Sequence, residues 1–302
     1  MQKLVTSFLF FTLSFSQNYS LDFDGESDYV EVANGSAVIA NADQMTLSGW
    51  VYPRGPNADS YTQFDGFFGF RNNEDADFYL LQLGNYKVEA RLKVSGGGEF
   101  TIVTAENSII SETWHHLALI YDGSNIILYI DGIEAGSTEA YGQITNEFLP
   151  FSIGRLIWQT TNFDLDGQVD EVSLWNLALT EQQVQDYMYA DLTGEEGLVG
   201  YWKFNEGSGS TAYDSSEEGN NGVIYGATWS SDAPGPSTVT LTVSYNERWN
   251  LVGLPVEVDD AGYTSLFPEA ISGTLYSFVG EYQSEYELVM GHGYWLRFPE
   301  SG

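Results

Sequence analysis

The stretch Leu21-Asp-Phe-Asp-Gly-Glu-Ser-Asp-Tyr-Val30 alternates apolar and polar residues around an acidic turn, and Phe163-Asp-Leu-Asp-Gly-Gln-Val-Asp-Glu-Val172 repeats its skeleton. Both read D-x-D-G-x-x-D: Asp22, Asp24, Gly25 and Asp28, then Asp164, Asp166, Gly167 and Asp170. Period-two alternation is the signature of a strand with one buried face. Three carboxylates within seven residues repel one another unless water, salt or a cation offsets them. Two such clusters bracketing one β-rich region predict that its first and last strands lie together and share a hard cation such as calcium.

The same alternation continues along the chain. Met45 to Tyr52, Phe78 to Leu83, Lys87 to Val94, Phe100 to Thr104, Trp114 to Tyr121 and Ile126 to Asp131 read as strands, as do Phe151 to Gly154, Val169 to Trp175 and Leu198 to Phe204. Turns such as Asp122-Gly123 and Asp131-Gly132 separate them. Many short strands with few helical patterns predict an all-β fold, a two-sheet antiparallel jelly-roll sandwich. One short helix is expected. Thr180-Glu-Gln-Gln183 is a capping box, and the helix should run to about Tyr189 with Val184, Tyr187 and Met188 on its docking face. Asp232-Ala-Pro-Gly-Pro-Ser237 reads as a linker. Beyond it lie Thr238 to Val243, Trp249 to Pro255, Leu275 to Phe278 and Tyr294 to Phe298, four strands of a separate β-module of about 65 residues. The chain stops soon after the last of them, as a stretch of a longer protein would.

Residues 1–16 read as a secretory signal peptide: Lys3, an apolar core from Leu4 to Phe15, and small residues at Ser14 and Ser16 before the cleavage point. The apolar run is too short for a span of ~20 residues. The expected location is therefore secreted or cell-surface. There is no cysteine, which removes disulfides, thiolate zinc sites and Cys nucleophiles. Net charge is −33, or −34 once Lys3 is removed with the leader. Charged residues are only 18% of the chain, so the acidity comes from scarce bases. Such a surface repels nucleic acid and anionic headgroups and suits saline water.

Several phrases now stand in order: L-D-F-D-G-E-S-D-Y-V (21–30), M-T-L-S-G-W-V-Y-P (45–53), W-H-H-L-A-L-I-Y-D-G (114–123), I-L-Y-I-D-G (127–132), F-S-I-G-R (151–155) and F-D-L-D-G-Q-V-D-E-V-S-L-W-N-L-A-L-T (163–180). Together with the helix they resemble the bacterial laminin-G-like, concanavalin A-like jelly-roll family over about 18–190. G-L-V-G-Y-W-K-F-N-E-G-S-G-S-T-A-Y-D-S-S-E-E-G-N-N-G (197–222) also resembles this family. There it often precedes the L-D-F-D-G strand. Here 191–236 is either an edge-strand extension of a 17–236 sandwich or a partial repeat. W-N-L-V-G-L-P (249–255) through G-Y-W-L-R-F (293–298) resembles small β-modules of secreted bacterial surface proteins.

What the resemblance implies is a sandwich that binds glycans or proteins, often with a structural calcium. Carried onto this chain, the ligands are Asp28 and Asp170, with Asp24 beside them. Asp-rich turns supply the carboxylates and carbonyls calcium takes. The pattern is not an EF-hand, because the positions eleven residues after Asp22 and Asp164 are Ala33 and Trp175. Equally, Asp22, Asp164 and Asp166 can be turn formers that satisfy their own backbone.

Related hydrolases place paired carboxylates on one strand as E-x-D-x-E, and no such segment exists here. Asp170 and Glu171 are adjacent, so a regular strand would aim them at opposite faces. His116 is expected to pack core-side with Ala118 and Ile120, and His292 to lie in a turn. Candidate sugar contacts are Tyr61, Arg155 and Trp158, in loops or at strand ends where binding residues gather. The reading is a non-catalytic binding or adhesion protein. Its partner is an extracellular glycan or polysaccharide, or a cell-surface protein. The alternatives are a structural spacer of a larger surface protein and a divergent polysaccharide hydrolase.

Overall fold

The computed structural model describes residues 18–33, 35, 39, 42–55, 64–71, 77–144, 149–235, 247–253, 262–278, 280–289 and 292–300, without the side chain of Trp158. The leader, Tyr61 and the strand expected over Thr238 to Val243 lie outside them. The chain divides after Pro236 into two compact units.

The first unit begins with β1 (Ser20–Asp24), β2 (Tyr29–Val32), β3 (Met45–Pro53), β4 (Asp65–Arg71), β5 (Asp77–Leu83) and β6 (Lys87–Lys93). Then follow β7 (Glu99–Val103), β8 (His115–Tyr121), β9 (Asn125–Ile130), β10 (Ile133–Glu139), β11 (Phe151–Ile153) and β12 (Arg155–Trp158). It closes with β13 (Thr161–Asp164), β14 (Asp166–Trp175), helix α1 (Glu181–Tyr187), β15 (Leu198–Trp202), β16 (Thr211–Ala212), β17 (Gly222–Tyr225) and β18 (Thr228–Ser230).

Two antiparallel sheets form the sandwich. One runs β10-β9-β8-β3-β14-β1-β18, with β15 on the far half of β14; the other runs β16-β17-β2-β11-β4-β5-β6-β7. Both acidic corners are places where the chain leaves one sheet. Leu21 to Asp24 belongs to the first sheet and Tyr29 onward to the second. The second corner joins the β12–β13 hairpin to β14. Gly25, at φ +81°, makes the first turn, and a side chain there would press on Asp166. Gly154, at φ +78°, starts the hairpin with its α-carbon against the ring of Phe23, where a Cβ would come within 2.3 Å of a ring carbon.

Inward residues of both sheets make one core, with Leu21, Phe23, Phe68, Leu119, Val169 and Trp202 all at 1% exposure or less. Residues 191–235 are built into it. They put β15 and β18 in the first sheet and β16 and β17 in the second, and they bury Trp202 and Phe204. A second cluster lies on the outer side of the first sheet, where Ala118, Ile120, Trp175 and Tyr201 meet Val184 of α1. The capping box forms: the Thr180 amide donates to Gln183 Oε1 (3.0 Å) and the Gln183 amide to Thr180 Oγ1 (3.3 Å). The helix is seven residues long and ends at Tyr187, two short of the expected end. Tyr187 is laid flat on Trp175, with ring centroids 5.5 Å apart.

The second unit carries β19 (Arg248–Gly253), α2 (Tyr263–Leu266), β20 (Tyr276–Phe278), β21 (Tyr282–Ser284) and β22 (Gly293–Phe298), in the sheet order β19-β22-β20-β21. Leu275, Leu288, Tyr294, Leu296 and Phe298 form its core. Among the described residues no helix is long and apolar enough to cross a membrane.

Candidate functional site

The acidic corners are met by arginines. In the β1–β14 ladder Asp24 stands opposite Asp166, a like-charge pair that alone would destabilise the sheet. Arg54, one residue past β3, reaches between the strands. Its two terminal nitrogens donate to Asp22 (2.8 and 2.7 Å), its Nε to Asp166 (2.9 Å), and Nη2 also to the Phe23 carbonyl (2.7 Å). Arg155 does the same for the hairpin. It pairs with Asp164 at 2.5 Å and lies over the ring of Tyr29 at 4.0 Å. Asp28 accepts from the Asp24 amide, and burial with the Asp24 charge raises its pKa. Asp24 in turn accepts from the Glu26 amide.

The first and last strands of the D-x-D-G pair lie together as expected, β1 on β14, but Asp170 stands apart from the corner. Leu21 faces Val169, so Asp170 falls opposite Ser20, four residues from the Asp24 row. At ~3.3 Å per residue that is ~13 Å, whereas one calcium draws its oxygens to ~2.3–2.6 Å. A single ion cannot be held by Asp24, Asp28 and Asp170 together. Among the described residues no three His, Asp or Glu side chains gather in metal-holding geometry. The donor set therefore does not fit a shared ion at these positions. A calcium-dependent rise in melting midpoint that Asp28→Asn and Asp170→Asn each abolish would contradict this.

Behind this corner Asp65 is 6% exposed, and one of its oxygens has no hydrogen-bond partner. Burial, with the charges of Asp166 and Asp164, pushes its pKa up to about 8 from 3.8. The fold therefore keeps a proton that the unfolded chain loses near pH 4. The stabilisation from that proton is whole below about pH 4, fades as pH rises, and is gone above about 8. Asp65→Asn should lose less stability than the parent between pH 5 and pH 8 in urea titrations. Equal losses would contradict the assignment.

A cleft of about 390 Å³ opens on the outer side of the first sheet. Its floor is built by polar-side positions of β3: Ser48 and Trp50 alternate with the core residues Leu47 and Val51. Trp50 donates from Nε1 to the Met188 carbonyl (2.9 Å), which pins the segment after α1 over the sheet. Tyr189 from that segment leans on Trp50, ring centroids 5.0 Å apart, and remains 54% exposed. His116, expected on the core side, lines this cleft instead. It is 5% exposed, its Nδ1 has no partner, and burial lowers its pKa to about 4. The core side of β8 is carried by Leu117, Leu119 and Tyr121. His115 is structural: its Nε2 accepts from the Ile110 amide, which leaves Nδ1 to donate to Asp131 (2.8 Å).

A bulge in β14 between Asp170 and Ser173 brings two adjacent acids to the same outer side, against the regular-strand expectation. Asp170 stands opposite Trp50, and Glu171, at φ +50°, lines the cleft. Burial raises the Glu171 pKa to about 7, opposed by a hydrogen bond from the Tyr201 hydroxyl and by Lys203. Asp170 is fully buried with one oxygen unpartnered, and burial beside Glu171 holds its pKa well above the carboxylate range. Asp191 goes the other way. The Lys203 ammonium (2.7 Å) and Thr193 lower its pKa to about 2.

Arg155 sits on the β12–β13 hairpin with no part in this cleft; Trp158 ends β12, its side chain outside the described residues, as is Tyr61. Sequence reasoning missed Trp50, Glu171, Tyr189, Tyr201 and Lys203. One signal was present: an indole on the polar side of a clean alternation. On the outer side of the second sheet the β12–β13 hairpin covers Tyr79, which is buried with Leu156 and Phe163, and Arg71 lies 4.9 Å from the Tyr79 ring and 5.1 Å from that of Phe163.

The family model described as the concanavalin A-like lectin/glucanases superfamily matches residues 24–185. A crystal structure of a candidate carbohydrate-binding protein from Bacteroides ovatus is similar at TM-score 0.54 and 20% identity, over 73% of this chain and 62% of that one. This chain thus spans under two thirds of that protein's length. Domain 4 of an extracellular arabinanase from Geobacillus stearothermophilus, solved with arabinotriose, gives TM-score 0.43 at 20% identity over 56% and 76% of the two chains. A CBM40 module of a Ruminococcus gnavus sialidase, bound to α2,3-sialyllactose, gives 0.46 at 14% over 56% and 96%. No curated protein matches the chain.

Proposed function

Since this chain belongs to the concanavalin A-like lectin/glucanase superfamily, in its laminin-G-like form, we propose that it is an exported carbohydrate-binding protein that takes a glycan in the cleft over its first sheet. The N-terminal leader pattern supports export. The observation that carries the reading is the exposed ring of Tyr189, backed by the buried Trp50, beside Glu171, Asp191 and Lys203 in one concave site. Ring faces pack against the C–H side of a pyranose, while carboxylates and an ammonium take its hydroxyls. Small-ligand sites combine those two features and span ~300–1,000 Å³.

The test is retention on a polysaccharide and glycan panel. Tyr189→Ala should weaken the best interaction about tenfold and leave the fold intact, because the ring is exposed. Unchanged retention would contradict the site.

A second reading has one specific support. Glu171 near 7 and Asp191 near 2 are held apart by their surroundings, as the acid and base of a hydrolase would be. It is weaker, because Asp191 Oδ1 already accepts from Lys203 and Thr193. New reducing ends that vanish in Glu171→Gln would establish it.

A further inference from the structure

The second unit carries a sheet whose two faces are both apolar, for different reasons. In β22, Tyr294, Leu296 and Phe298 point into the core while Trp295 and Arg297 point out. A sheet with one solvated face normally places polar residues there. Here Trp295 faces Leu251 on one side and Tyr276 on the other, and Trp249 and Tyr282 stand on the flanking strands. Trp249, Tyr276, Tyr282 and Trp295 line a hollow of about 550 Å³. The rings do not lie flush on one another. Trp249 and Tyr276 are 5.9 Å apart and tilted by 57°, and Tyr276 and Tyr282 are 6.5 Å apart and nearly perpendicular. Trp249 and Tyr282 are 48% and 64% exposed. Exposed apolar patches of this kind mark contact surfaces.

We propose that the Trp249–Tyr276–Tyr282–Trp295 hollow is a second binding site, and that its ligand is a neutral polysaccharide. Among the described residues the lining is tryptophan and tyrosine, rings with flat faces and polar tips. That combination suits a ligand with C–H faces and a hydroxyl rim, where an apolar peptide or lipid would be met by aliphatic side chains. Charge decides between sugars and against self-pairing. Residues 237–302 hold nine acids and two arginines, so an anionic chain, or a second copy of this acidic unit, is repelled.

The site is independent of the cleft and is tested apart from it. The full chain carrying Tyr189→Ala is passed over immobilised neutral β-glucan and mannan and over an acidic uronan. Trp249→Ala and Tyr282→Ala are then added singly; both residues lie on the outer strands of their sheet, and near-ultraviolet circular dichroism confirms the fold. The expected result is retention on a neutral polymer that falls about tenfold with either substitution and is competed by its soluble oligosaccharide. Four results would overturn the proposal: retention that both substitutions leave unchanged, no retention on a neutral polymer, retention on the uronan alone, or concentration-dependent self-association that both substitutions abolish.

Discussion

Trp202→Ala lowers the stability of the larger unit by about 4 kcal/mol, the usual cost of removing a fully buried large aromatic. For a unit of this size that is a drop of about 10 °C in its thermal transition. The indole is 1% exposed and stacks on Phe151 of the other sheet at 5.1 Å. Its Nε1 also donates to the Asn220 carbonyl (3.0 Å), so the substitution leaves a cavity and an unpaired acceptor together. Gly200 makes room for the ring, since a Cβ there would come within 2.5 Å of it. The effect is measured by urea or thermal unfolding of the full chain. A loss under ~1 kcal/mol, the scale of surface substitutions, would mean that β15 is an appendage and that residues 191–236 are not part of the sandwich.

Arg54→Met lowers stability by about 2 kcal/mol, less than breaking a fully buried pair because water reaches part of the group. The guanidinium side chain is 29% exposed and serves two carboxylates and a carbonyl. Removing it leaves Asp22, Asp24 and Asp166 facing one another across the ladder. Two features separate this from lost packing. Asp22→Asn added to Arg54→Met should restore part of the loss, because one of the repelling charges is gone. High salt should also shrink the penalty, since the screening length falls to ~3 Å at 1 M. A penalty that neither change moves would show that the arginine contributes packing alone.

The fold was legible because alternation and turn chemistry are local. Leu21 to Val30 announces strands on both sides of an acidic corner, and Thr180 with Gln183 announces the helix start. What escaped depended on neighbours distant in sequence. Arg54 lies outside the D-x-D-G pattern, yet it answers both copies, so the carboxylates suggested a metal. The β12–β13 hairpin and β16 to β18 are too short to show a period. The bulge at Glu171 reversed the parity on which the pairing of Asp170 and Glu171 was judged. His116 was assigned to the core because Ala118 and Ile120 are apolar, but they belong to the second cluster beneath α1. The sandwich has apolar residues on both sides of that strand, and alternation alone does not say which side is the interior.

The most direct measurement is a crystal structure of the full chain with the oligosaccharide it retains best on the panel. Sugar is expected in the cleft, one ring against Tyr189, with a hydroxyl in hydrogen-bond reach of Glu171 or Lys203. Sugar bound elsewhere on the larger unit, with the cleft holding solvent alone, would contradict the account.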